Sequence, residues 1–131
     1  MNLLSHLHDD EGSAVVDFVL IASVLVVLVL GIMQVCFAVH VRNTLASAAA
    51  EGARYAASAD RSTNDALGRT RLSISQSVGS RFARDISVRN HVIGGLDFAE
   101  VTVRAAIPLV GTLGGPATTT VRGHALLEVQ P

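Results

Sequence analysis

The chain has no tryptophan and no lysine, one cysteine, and only four phenylalanines and one tyrosine among 131 residues. Each shortage excludes something. With Phe18, Phe37, Phe82, Phe98 and Tyr55 as its only rings, burial falls to small aliphatic side chains, which suit close helix packing better than a binding cleft. A lone thiol, Cys36, cannot close an intramolecular disulfide. Set inside an apolar stretch, it reads as a small membrane-buried hydrophobe rather than a redox centre. The preceding Met33-Gln34-Val35 are bulkier and more polar than the small residues of a lipoprotein cleavage site. All ten basic residues are arginine, which codon usage explains more simply than a need for guanidinium chemistry. At a net charge of −1, nothing recommends a nucleic-acid partner.

Catalytic patterns are missing too. The acids are scattered, and no Ser/His/Asp arrangement or metal-ligand spacing recurs, so no enzyme, cofactor, metal or small-molecule substrate is expected. The segment 111–115 is glycine-rich but lacks the lysine and the helix that follow a phosphate loop. His91 and His124 fall on the polar sides of predicted strands and read as solvated. His6 and His8 lie in the short N-terminal segment.

What the chain does have is a run of apolar residues, FVLIASVLVVLVLGIMQVCFAVHV, over 18–41. About 20 such residues at 1.5 Å each cross the ~30 Å hydrocarbon core of a bilayer. No charge interrupts the run, and one acid, Asp17, stands at its edge. The segment before it, MNLLSHLHDDEG, carries Asp9, Asp10 and Glu11 but no arginine. A secretory signal has a positive start and a shorter apolar core. An uncleaved anchor is therefore favoured, although Ala46-Ser47-Ala48 has the look of a signal-peptidase site.

Beyond Val41 the helix has no reason to stop. Residues 42–57 contain no proline and are dense in alanine, the best helix former. Val41, Leu45, Ala48, Ala49, Gly52, Tyr55 and Ala56 recur at i+3 and i+4, a narrow apolar stripe. One helix is predicted from about Ser13 to about Ser58, roughly 65–70 Å long at 1.5 Å per residue. Glu51 neighbours Arg54 and Tyr55 on its surface. Gly52 costs up to about 1 kcal/mol against alanine there. Close approach of another helix and simple tolerance explain it equally well.

Asp60 to Asp65 is polar and turn-prone, and Ser62 followed by Asp65 marks a helix start. Leu67, Ile74, Val78 and Phe82 then fall at helical spacing, predicting a second helix that ends near Arg84. After it the period changes to two. Residues 86–92 alternate, Gly94-Gly95 marks a turn, and 98–107 alternate with Val101, Val103, Ala105 and Ile107 opposite Glu100, Thr102 and Arg104. A Gly/Pro loop at 111–116 leads to a third run over 118–129, with Val121, Ala125, Leu127 and Val129 opposite Thr120, Arg122, His124 and Glu128. The expected fold class is α+β. It comprises a long N-terminal membrane-spanning helix, a short second helix and a small antiparallel β-sheet covered on one face.

A half-embedded N-terminal helix followed by a small antiparallel sheet is the build of a pilin, and particular residues narrow the likeness. Gly12-Ser13-Ala14-Val15-Val16-Asp17-Phe18 looks like a type IVb prepilin processing site, in which the leader ends in glycine and an acid stands fifth in the mature chain. Val41-Arg42-Asn43-Thr44-Leu45 and Ala50-Glu51-Gly52-Ala53-Arg54-Tyr55-Ala56-Ala57 closely resemble the TadE-like family of tight-adherence pilus proteins. The later Val103-Arg104-Ala105-Ala106-Ile107-Pro108-Leu109-Val110 and Arg122-Gly123-His124-Ala125 are similar to that family's terminal hairpin.

The resemblance implies a leader over 1–12, a transmembrane and assembly helix over 13–58, and an exported C-terminal domain over 59–131. It implies cleavage between Gly12 and Ser13 by a prepilin peptidase, and pairing of Asp17 with a Ser13 amine of its own or a neighbouring subunit. Glu51, Gly52, Arg54 and Tyr55 would belong to helix packing. The partners implied are the membrane, crossed once, the peptidase, other pilins and the pilus assembly machinery. The implied role is that of a non-enzymatic minor pilin or pseudopilin assisting assembly or adhesion. A signal-anchored binding domain and a type II secretion pseudopilin are the alternatives, though the latter's mature chain generally begins with Phe and keeps Glu at the fifth position. Two departures from the family stand out: Asp17 is one methylene shorter than the usual glutamate, and the leader lacks the usual basic residue. Counting flanking arginines alone, the positive-inside tendency places Arg42 and Arg54 in the cytoplasm, the reverse of the family's orientation.

Overall fold

A computed structural model of the chain describes residues 7–58, 61–108 and 116–128, with side chains from residue 12 onward. It divides into two compact units, Met1–Cys36 and Phe37–Pro131. The architecture is α+β, with a long apolar helix, a second short helix and a three-stranded antiparallel sheet in the order β1-β2-β3.

Helix α1 runs over Leu7–Ala57. Its end agrees with the sequence reading, but its start lies six residues earlier than the predicted Ser13. The segment 12–17 carries no proline to break the helix. Gly12 alone costs about 1 kcal/mol, which a helix of 51 residues absorbs without stopping. In the first unit the described side chains are almost all exposed. Val15, Phe18, Leu20, Ile21, Val24 and Val27 are each more than half accessible. Every one of these would gain about 1.5–3 kcal/mol on leaving water. A helix with a mean hydropathy of 3.0 over an 18-residue window and nothing covering it suits a bilayer by length and composition.

The second unit has a core built around the end of α1, from Val41 to Ala57. Val41, Leu45, Ala48, Ala49 and Ala53 are buried with Ile74, Phe82, Ile86, Val101, Val103, Ala105, Ile107 and Val121. Ala56 and Ala57 join a smaller cluster with Ala66 and Ala99. The predicted stripe is buried as expected except at Tyr55, which is half-buried, and Ala53 belongs to it as well.

Helix α2 covers Thr63–Ser77 and begins with a full capping box. The Ser62 hydroxyl accepts from the Asp65 amide at 3.1 Å, while the Asp65 carboxylate accepts from the Ser62 amide and hydroxyl. These bonds hold the Asp65 carboxyl below its usual range. The helix stops at Val78, short of the predicted Arg84, because Gly79 takes φ +107°, a conformation that ends a helix and favours glycine. Phe82 instead sits in a separate 3-10 turn, Ser80–Phe82, and is buried in the core.

Strands β1 (Asp85–Ile93), β2 (Leu96–Ile107) and β3 (Ala117–Leu126) follow. Gly94 and Gly95, at φ +62° and +83°, close a two-residue hairpin of the type whose twist matches the strands. The β2–β3 loop over 109–115 and Val129 lie outside the described residues. Leu127 and Glu128 have left the strand: the Leu127 amide donates to the Asp97 carbonyl and the Glu128 amide to the Ala57 carbonyl, a mainchain tie between the end of the sheet and the end of α1.

Candidate functional site

Gly12, Ser13 and Asp17 all lie in α1 and are exposed. Ser13 and Asp17 stand four residues apart, on one face of the helix. Among the described residues no basic group lies within ion-pair distance of Asp17. Thirteen residues of continuous helix separate Asp17 from Gly31, which lies in a shallow apolar notch lined also by Val27, Leu28, Ile32, Val35 and Cys36.

Farther along, Glu51, Gly52 and Tyr55 are brought together against α2, and Arg54 is not. The Arg69 guanidinium donates to Glu51 Oε1 at 3.1 Å. Both partners are about half exposed, so the pair supplies orientation more than stability. The same guanidinium lies 5.8 Å from the Tyr55 ring centre, and Arg61 lies 4.9 Å from it, a cation–π stack on one aromatic ring. Gly52 fits directly against Thr70. A Cβ at Gly52 would collide with the Thr70 hydroxyl and come within 3.3 Å of Thr70 Cβ. Thr70 is fully buried, and its hydroxyl donates back to the Ala66 carbonyl at 2.8 Å. Arg54 is exposed to solvent.

Several contacts have no counterpart in the sequence reading. Gly123 is buried on the inner face of β3, and a Cβ there would overlap the backbone of Ala49 and Ala50. Glycine inside an alternating strand is the available signal for such a close approach. On the outer face, Glu100 is clamped by both histidines. His124 Nε2 lies 2.7 Å from Glu100 Oε2 and His91 Nε2 lies 3.4 Å from Oε1, with the Thr102 hydroxyl donating to Oε1 at 3.2 Å. The His124 bond, aided by Thr102 and the nearby imidazoles against a desolvation penalty, holds the Glu100 carboxyl below its usual range. His91 and His124 are thus carboxylate partners rather than freely solvated. Their pairing follows from register, since Glu100 stands directly opposite His124 and one step diagonally from His91.

A family model described as TadE-like protein matches residues 12–54. The match runs from the residue before Ser13 to Arg54, through Asp17, the whole apolar run and the packing residues Glu51 and Gly52. Comparison with curated proteins and with solved structures gives no match.

Proposed function

We propose that this chain, TadE-like over residues 12–54, is a minor pilin or pseudopilin of a tight-adherence pilus. It is made with a 1–12 leader, cut after Gly12 by a prepilin peptidase, and incorporated through α1 to assist assembly or adhesion. The observation that carries this reading is the family match itself, laid on one unbroken helix that passes from an apolar segment into a packed core. Such a helix serves two purposes with one element. Its first part is apolar on all sides, which suits lipid before assembly and neighbouring helices after it. Its last part is held by its own chain's α2 and sheet.

Cleavage would change the chemistry at the lipid boundary. Ser13 would gain an α-amino group one helical turn from Asp17, and a charge near that low-dielectric region is costly unless paired. Removing Asp9, Asp10 and Glu11 from the eleven acids leaves eight against ten arginines, a net charge of +2. In this reading the chain performs no catalysis, and its partners are the peptidase, other pilins and the assembly machinery. Mass spectrometry of the mature chain tests the proposal directly. A terminus at Ser13 is expected, and a chain beginning at Met1 would sink it. Asp17→Ala is expected to reduce incorporation into pili while leaving the chain folded; unchanged processing and incorporation would remove Asp17 from the mechanism.

A further inference from the structure

The outer face of the sheet is unusual in what it leaves unmatched. The register arranges it in rows across the three strands. Asp85, Arg104 and Thr120 form one row. Ser87, Thr102 and Arg122 form the next, then Arg89, Glu100 and His124. His91, Phe98 and Leu126 follow, and Ile93 and Leu96 close the face at the hairpin. Rows on one face are spaced by two residues, about 6.6–6.8 Å.

Two halves differ in character. In the first, Arg89, Arg104 and Arg122 stand with Asp85 around a shallow concavity of ≈ 230 Å³ that Ser87 and Thr102 also line. Glu100 belongs to the same concavity but is already engaged by His124, His91 and Thr102. Among the described residues no acid lies within ion-pair distance of any of the three arginines. In the second half, Ile93, Leu96 and Leu126 are each more than half exposed beside Phe98. A cationic patch and an aliphatic patch thus lie side by side on a face that no described part of the chain covers.

We infer that this face docks an acidic segment of a partner protein, with its carboxylates over Arg89, Arg104 and Arg122 and its apolar residues on Ile93, Leu96, Phe98 and Leu126. Charge complementarity selects that occupant over the others. A second copy laid face to face would set arginines against arginines, and like charges opposed across an interface disfavour association. A uniformly anionic lipid surface would meet Asp85 and Glu100 interleaved with the arginines, whereas a segment with spaced carboxylates avoids them. Arginine suits the role because its planar fork binds carboxylate in two-point fashion. This inference rests on the sheet alone and stands whether or not the leader is cleaved.

The full chain in phosphatidylcholine nanodiscs tests it by fluorescence anisotropy. The probes are a labelled peptide of glutamates followed by leucines, and its counterpart with lysines in place of the glutamates. The glutamate peptide is expected to bind and the lysine peptide not to. Affinity should fall with added salt, and by roughly tenfold in Arg104→Gln/Arg122→Gln. Leu96→Ser should weaken binding as well, and Arg104→Glu/Arg122→Glu should transfer preference to the lysine peptide. Equal binding of both peptides by the unaltered chain would overturn the inference without recourse to any variant. So would capture of the nanodiscs by phosphatidylglycerol vesicles without peptide binding, or crosslinking of two copies through this face.

Discussion

At the scale of single residues, the second unit depends on two glycines whose neighbours, not their turns, require them. Gly123 lies against the Ala49 backbone and Gly52 against Thr70. In Gly123→Ala the obstacle is mainchain, which cannot rotate away, so the sheet must shift off α1. The expected loss is about 1–3 kcal/mol, the usual range for overpacking, read as a lower denaturation midpoint in detergent. In Gly52→Ala the obstacle is one buried hydroxyl. The loss should therefore shrink when Thr70→Ala is combined with it, and strictly additive effects would show that the two residues do not meet. Gly68, inside α2, has open space where a Cβ would go. Gly68→Ala should raise stability by about 0.5–1 kcal/mol through helix propensity. Three alanine substitutions thus separate close approach from simple tolerance, and equal effects at all three positions would refute the packing account.

At the scale of elements, the sheet's outer face makes stability depend on pH through Glu100. Its carboxyl titrates below its ordinary value because His124 and Thr102 bond the ionised form. A depressed carboxylate pKa contributes stability above the unfolded value, near 4.5, and that contribution is lost as pH falls through the folded value. Midpoints measured from pH 6 to about pH 3 should fall for the unaltered chain and fall less for Glu100→Gln; parallel curves would show that the clamp adds nothing. The clamp also marks the limit of what alternation conveys. Periodicity places His91, Glu100 and His124 on one face, because side chains alternate at period two. It cannot state register, and register alone puts Glu100 between the histidines. The same distinction runs through the fold. The long helix, the Ser62–Asp65 start and the Gly94-Gly95 turn are local signals and were legible in the sequence. The end of α2 was not, because Phe82 keeps helical spacing from Val78 while Gly79 breaks the backbone between them. Nor was α2 legible as the partner of Glu51, Gly52 and Tyr55, since docking of one helix on another depends on tertiary contact.

At the scale of the whole molecule, one helix belongs to both compact units, and the family match crosses the boundary between them at Cys36 and Phe37. Two physical tendencies then oppose each other over which side of the membrane receives the folded unit. The flanking charges favour a cytoplasmic C-terminal side, because Arg42 and Arg54 follow the span while Asp9, Asp10 and Glu11 precede it. Yet that rule describes arginines and lysines in short loops, and acids contribute little to it. Here Arg42 lies within continuous helix, beside buried Val41, and 74 residues follow Ala57, among them α2 and the sheet. Folded units of this length translocate largely regardless of their charge. The expected orientation is therefore an exported C-terminal unit. Ser58, at the end of α1 and half-exposed, reports on it in a Cys36→Ala/Ser58→Cys chain, whose single thiol lies outside the apolar run. A membrane-impermeant maleimide should label that thiol in intact cells whose outer barrier has been opened. Labelling only after the inner membrane is broken would place the sheet in the cytoplasm and end the pilin reading, whatever the mature N-terminus proves to be.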